Sequence, residues 1–378
     1  MGEAVRVVLA PDKFKGSLPA TEVVAALRHG LLALRPGLDV VEAPVADGGD
    51  GTLAAVLSAG WERIPVEAPG PTGEPVATAY ARSGDTAVME LADACGLGRL
   101  PGGVVAPLTA GTAGAGAVVR AALDAGCRRV LLGIGGSAST DGGAGLVQAL
   151  GARLLDADGR ELPPGGGALA GLARLDLSGL HPGLARAEVF VACDVDNPLT
   201  GPHGAGAVYA PQKGASANDV AVLDSALTHW ADVVAAATGR DARNDPGAGA
   251  AGGVGFAAVA LLGAVLRPGV ELVLDLVGFD ERVSGAALVV VGEGSLDAQT
   301  LHGKAVAGVA AAARRAGARV VAVAGRCTLA PEQLRQLGVE AAYALTDVEP
   351  DVQVCIEQAP RLLGLLAERI VADGHVSG

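Results

Sequence analysis

Val5-Arg6-Val7-Val8-Leu9-Ala10 runs without a break into Pro11-Asp12-Lys13-Phe14-Lys15-Gly16-Ser17. The first stretch reads as a buried strand and the second as a charged turn containing glycine. The same grammar recurs along the chain. Ala43–Ala46 leads into Asp47-Gly-Gly-Asp-Gly-Thr52, and Val130–Ile134 into Gly135–Gly145 with Ser137, Ser139 and Asp141. Val189–Cys193 leads into Asp194-Val-Asp-Asn-Pro198, and Leu288–Val291 into Gly292-Glu-Gly-Ser-Leu-Asp297. In open α/β sheets, ligands bind outside the carboxyl ends of the strands. Glycines there let backbone N–H groups approach a phosphate, while carboxylates hold a metal or accept a proton. Five such turns point to an enzyme that handles a phosphorylated ligand with a divalent cation.

Composition narrows the class. Half of the 378 residues are hydrophobic and mean hydropathy is +0.41. No run approaches the ~18 uninterrupted apolar residues of a spanning helix. The apolar excess is Ala, Val, Leu and Gly spread between turns, as in a sheet buried on both faces. The start, Met-Gly-Glu-Ala-Val-Arg, lacks the basic-then-apolar layout of a signal peptide, so a cytoplasmic location is expected. A net charge of −13 repels nucleic acid and acidic membranes, and an anionic substrate must be captured locally by a few lysines. The five cysteines are scattered without a C-x-x-C and read as reduced core residues. The six histidines show no metal spacing. With aromatics at 2%, a bound base is expected between aliphatic side chains. A homo-oligomer is compatible with the sequence.

The first strand is followed by a helix over Pro19–Leu34, with Ser17 as a candidate cap. A strand near Asp39–Ala43 and a helix over Thr52–Ala59 complete a βαβ-like opening. Pro69, Gly70, Pro71 and Gly73 then mark a change in composition, after which Val76–Arg82 and Thr86–Leu91 alternate like hairpin strands. Ala152–Glu161 reads as a further hairpin. A long helix is expected from an Asn218 cap to Thr238, ended by Gly239. From Ala286 the chain returns to strand–helix alternation. Alternation at both ends around a hairpin-rich middle predicts an α/β protein: a Rossmann-like domain (1–66 with 286–378) interrupted by an inserted second α/β domain (67–285).

Several turns carry chemistry. Lys13 and Lys15 beside a helix start suit a carboxylate or phosphate, against the plainer reading of two surface lysines. Gly133–Ala138 fits G-x-G-x-x-A, but the acidic partner of a dinucleotide site falls in a Gly/Asp hairpin. Gly135, Gly136, Ser137 and Asp141 therefore fit phosphate and Mg²⁺ better than NAD. Gly303-Lys304 lacks the remainder of a Walker A, and the protein-kinase signatures are absent. Asp194 and Asp196 have strand-like spacing and can share a face, to chelate Mg²⁺ or to make one of them a base; the alternative is an Asx-turn before Pro198. Lys213 follows shortly in Pro211-Gln-Lys-Gly214. Glu293, Asp297 and Lys304 follow a very apolar strand, and Asp297 reads equally as a helix cap.

Taken in order, these segments resemble the bacterial two-domain glycerate kinase family. The resemblance runs through Pro11–Ser17, Val45–Thr52, Met89-Glu-Leu-Ala-Asp-Ala94, Ile134-Gly-Gly-Ser-Ala138, Asp141–Gly145, Ala192–Leu199 and Pro211–Ala215. Pro246–Gly253 and Gly292–Thr300 with Gly303-Lys304 complete it. Three places depart from the pattern. Thr112–Ala117 stands for Thr-Tyr-Gly-Thr-Gly-Glu, Ser139-Thr140 for Thr-Asn, and Ser295 for a common arginine. These bear on substrate affinity and specificity rather than on fold.

The resemblance implies ATP- and Mg²⁺-dependent phosphorylation of D-glycerate, in many bacterial members to 2-phosphoglycerate, with the active site in the cleft between the domains. On that reading Lys15 and Lys13 are candidates for the glycerate carboxylate, with Ser17 and Asp47 beside them. Asp194 is the candidate base, and Lys15 joins it as a catalytic group. Gly135, Gly136, Ser137, Asp141, Gly292, Glu293, Gly294 and Lys304 hold the nucleotide. Asp196 and Asp297 are the metal candidates, with Asp47 an alternative. A kinase of another small hydroxy acid, a ligand-sensing member without turnover and an NAD-dependent oxidoreductase are the competing readings.

Overall fold

The computed structural model describes residues 4–302 and 305–376. Along the chain the strands are β1 (Arg6–Pro11), β2 (Asp39–Glu42), β3 (Glu62–Pro69), β4 (Pro75–Ser83), β5 (Thr86–Glu90), β6 (Arg129–Gly133) and β7 (Arg153–Leu155). They continue as β8 (Arg174–Asp176), β9 (Glu188–Ala192), β10 (Val265–Arg267), β11 (Leu288–Leu296), β12 (Arg319–Cys327) and β13 (Ala341–Ala344). Two compact units result: Met1–Asp47 with Ala54–Gly60 and Val270–Gly378, and Gly48–Leu53 with Trp61–Gly269.

The first unit is built on a parallel five-stranded sheet in the order β13-β12-β11-β1-β2. Val7, Val8, Leu9 and Ala10 are all buried, so β1 has no solvent face and reads as a continuous apolar run. Helix Ala20–Leu34 follows from the apolar set Val23, Val24, Leu27 and Leu31, all buried. Each such leucine contributes roughly 1.5–3 kcal/mol. Its entry differs from the expected one. Pro19 is the capping residue, without a side-chain bond, and the Ser17 hydroxyl instead donates to the Ile356 carbonyl at 3.0 Å. Proline suits a helix start because its fixed φ is already compatible and its missing N–H costs nothing there.

The second unit carries a six-stranded sheet, β10-β9-β6-β5-β4-β3. From β10 to β5 it is parallel, and β4 and β3 add antiparallel strands. β3 was not anticipated because Pro65 and Pro69 break its pattern; it lies at the sheet edge, where a missing N–H is tolerated. The expected hairpin Ala152–Glu161 is different too: β7 pairs with β8, and Glu161 makes only an isolated bridge to Leu155.

Helix Ala217–Thr238 is capped by Ser216 in a reciprocal box with Asp219, not by Asn218, and ends at left-handed Gly239. It is long and apolar enough in composition to cross a membrane. Here Leu223, Leu227, Trp230 and Val234 are buried, and all but Leu223 belong to the unit's main core. All five cysteines are free.

Candidate active site

In the first unit, the loops after the parallel strands gather the charged residues. Asp12 directly follows β1; its N–H donates to the Gly292 carbonyl (2.8 Å) and its carboxylate accepts from Lys13 N (2.6 Å). Lys13 Nζ lies 3.7 Å from the same carboxylate. Burial pushes the Asp12 carboxyl up to about 7; Lys13 opposes this, and Asp47 and Glu293 reinforce it. Glu293, within β11, accepts from the Thr300 hydroxyl at 2.6 Å. Asp12, Asp47 and Glu293 thus form an acidic group with Lys13 among them. Asp12 had no role in the sequence reading, since only burial distinguishes it from its neighbours.

Lys15, Ser17 and Gly294 line one cavity of about 290 Å³. Gly292 is paired with Pro11 across the sheet. Asp297 turns inward on its own loop, accepting from Gln299 N (2.9 Å) and the Ser295 hydroxyl (3.3 Å), which is the capping arrangement. Lys304 lies outside the described residues.

In the second unit, the turn after β6 holds Gly135 and Gly136, both exposed, followed by buried Ser137. Beneath it Lys213, 2% exposed, donates from Nζ to Ser137 Oγ (2.8 Å) and to the Ser139 carbonyl. Burial lowers the Lys213 pKa to about 8, with Asp141 acting against the shift. Asp141 is fully buried and does not present its oxygens to solvent. It accepts from Thr112 N (2.9 Å), Thr112 Oγ1 (2.8 Å), Gly143 N (3.2 Å) and Gly145 N (3.1 Å). Its place is to hold the glycine turn in shape.

Gly142 and Gly143 have φ of 62° and 72°, and a Cβ on Gly142 would stand 2.6 Å from the Trp230 ring. Only glycine meets both demands. The Ser139 and Thr140 hydroxyls are buried without a hydrogen-bond partner.

Asp194 is exposed just past β9, with Oδ1 accepting from Gly269 N at 2.9 Å. Asp196 is exposed two residues on. Asn197 is fixed between the Tyr209 hydroxyl (2.6 Å) and the His203 carbonyl (2.9 Å). Glu90, at the end of β5, accepts from Gly51 N (3.1 Å) and Leu53 N (2.6 Å) and so holds the Asp47–Thr52 turn. Burial raises its pKa to about 7, against the pull of these two N–H groups.

Parallel strands ending in glycine turns, lysines and carboxylates define an α/β protein built to hold an anionic ligand at its strand ends. A model of the glycerate kinase family matches residues 7–374. The chain is 44% identical to a glycerate kinase of Bacillus subtilis over 98% of this chain and 97% of that one. It is 43% identical to a glycerate 2-kinase of Escherichia coli over 90% of each. A crystal structure from Salmonella typhimurium LT2, assigned to glycerate kinase 2, superposes with a TM-score of 0.84 at 41% identity, covering 98% of this chain and 99% of that one. The chain belongs to the glycerate kinase family.

Proposed function

We propose that this protein transfers the γ-phosphoryl group of ATP to the 2-hydroxyl of D-glycerate, giving 2-phosphoglycerate and ADP. The observation that carries this reading is the match, along nearly the whole chain, to relatives named glycerate kinase and glycerate 2-kinase. The free cysteines support a reducing, cytoplasmic compartment.

Phosphoryl transfer depends on positioning and charge neutralisation more than on covalent chemistry by the protein. Asp194 is the base: one oxygen is anchored by Gly269 N, and the carboxylate stands exposed at a strand end. It takes the hydroxyl proton as the new O–P bond forms and the bond to the β-phosphate breaks. Lys13, with Asp47, serves the glycerate side, while Ser17, its hydroxyl donating to the Ile356 carbonyl, lines the same cavity as Lys15. Lys15, in no ion pair among the described residues, neutralises charge on the phosphates. Gly135, Gly136 and Ser137 offer backbone N–H groups over the buried Lys213 charge, and Asp141 acts by fixing their turn. Gly292, Glu293, Gly294 and Lys304 complete the nucleotide set.

No group of three or more acidic, histidine or cysteine side chains among the described residues is placed to cage a metal. Mg²⁺ characteristically uses one or two carboxylates and substrate phosphates, so this donor set fits it. Asp196, exposed, would hold it, with Asp297 second because its oxygens cap a turn. When bound, the ion supplies charge neutralisation to the phosphates.

The test is ATP consumption with D-glycerate and Mg²⁺, with the product read by ³¹P NMR. Coupling of phosphorus to a single proton supports transfer to the 2-hydroxyl. Coupling to a methylene pair moves the reaction to the 3-hydroxyl. Absence of turnover in folded protein that binds ATP would sink the reading.

A further inference from the structure

The cavity of about 290 Å³ in the first unit has a construction that selects between the two substrates. The sheet grows from β1 in opposite directions, to β2 on one side and to β11, β12 and β13 on the other. Such a reversal leaves a crevice beyond the strand ends. The cavity lies there, lined by residues that follow β1, residues at the ends of β11 and β12, and residues beyond β13.

Its floor is bare backbone. A Cβ on Gly294 would stand 3.1 Å from Lys15 N, and one on Gly325 would stand 2.6 Å from the Gly294 carbonyl oxygen. Its walls are apolar: Phe14 and Leu345 are buried, while Val352 and Ile356 leave 55% and 38% of their surface exposed. Two cations, Lys15 and Arg326, also line it, and neither is in an ion pair among the described residues. Ser295, paired in register with Arg326, and Thr346 add hydroxyls.

Glycerate carries a carboxylate or hydroxyl on every carbon and has no apolar face to set against Leu345, Val352 and Ile356. A nucleotide has a flat heteroaromatic base at one end and anionic phosphates at the other. Pockets of this kind combine apolar walls with a few placed polar groups. We infer that this cavity receives the nucleoside end of the phosphoryl donor, the base against Leu345, Val352 and Ile356 and the phosphates passing Lys15 and Arg326. The inference rests on the reading above that the donor is ATP.

The test compares wild type with Ile356→Glu and Arg326→Ala, and with Val352→Glu as a second rim variant, all checked for folding by circular dichroism. ATP and adenosine are titrated calorimetrically, and KM is measured for ATP and D-glycerate. Charge at Ile356 or Val352 is expected to weaken both ATP and adenosine by roughly tenfold or more, with the glycerate KM changed by less than about twofold. Arg326→Ala is expected to weaken ATP by roughly fivefold or more and adenosine by less than about twofold. A rise in glycerate KM with ATP binding unchanged would assign the cavity to glycerate and overturn the inference. Unchanged binding of every ligand would overturn it as well. Wild-type protein that phosphorylates glycerate without binding ATP would remove the ATP reading and this inference together. ATP binding insensitive to the variants would remove the inference alone.

Discussion

Asp194 and Glu90 are both carboxylates at strand ends, yet their surroundings differ: Asp194 is exposed, while Glu90 is half-buried against two backbone N–H groups. Asp194 Oδ1 accepts from Gly269 N, and the proposed function makes this carboxylate the base. In Asp194→Asn the amide oxygen still accepts from Gly269 N, so the fold should survive while the base is lost. The expected result is a kcat lower by roughly 10²- to 10⁴-fold at unchanged melting temperature; a kcat near wild type would remove the assignment.

Glu90 is a half-buried clasp on Gly51 and Leu53, with a pKa raised to about 7 from 4.5. The folded protein therefore keeps a proton that the unfolded chain has released. The stability contributed by this group is fully present below pH 4.5 and is lost as pH rises through about 7. Glu90→Gln, neutral throughout, should lack that slope and gain on wild type by about 1–3 kcal/mol at the alkaline end. Urea midpoints across the range would show it, and parallel curves would exclude it. The Asp-Val-Asp-Asn motif that nominates Asp194 is local and so visible in the sequence. The Ser137–Lys213 bond spans 76 positions and the Thr112–Asp141 bond 29, so no local pattern announces either. Asp12 and the structural duty of Asp141 likewise emerge only with burial.

Among the elements, the strands and helices with strong periodicity were readable: the β1 run, helix Ala20–Leu34 and the closing alternation from β11 to β13 all carry uninterrupted apolar patterns. What escaped was decided by neighbours. β3 survives two prolines because of its edge position, and β7 takes β8 rather than the nearer Glu161 segment as its partner. The Asn218 cap is expected because asparagine caps well in isolation, whereas the reciprocal bonds with Asp219 choose Ser216. Helix packing is equally non-local. Helix Ala20–Leu34 lies against Ala359–Ala372, and a Cβ on Gly30 would stand 2.8 Å from Ala367 Cβ and 3.0 Å from the Gly364 carbonyl oxygen. Gly30→Val therefore forces these helices apart, at a cost of about 1–3 kcal/mol. A thermal melt should register the loss, and an unchanged melting temperature would show that the pair yields without strain.

At the scale of the molecule, chain order and spatial order diverge. The second unit draws its sheet entirely from residues between Glu62 and Arg267, so its strand pairings are all supplied by one continuous stretch. Its core, from Ala68 to Ala264, lies within the same stretch. The first unit is assembled from both ends of the chain: β1 and β2 come from its beginning and β11, β12 and β13 from its close. β1 pairs with β11 on one side and β2 on the other, and Val7 and Leu9 share a core with Val290, Val321 and Leu363. Without β1, the strand β11 would expose a row of unpaired backbone groups and the core would lose one wall. A fragment of residues 48–269 is therefore expected to melt cooperatively with the circular dichroism of a mixed helix–strand fold. A fragment of residues 270–378 should remain largely unfolded, and mixing it with residues 1–60 should recover structure. Cooperative melting of 270–378 alone would show that β11, β12 and β13 suffice, and would overturn the view that β1 is indispensable to that sheet.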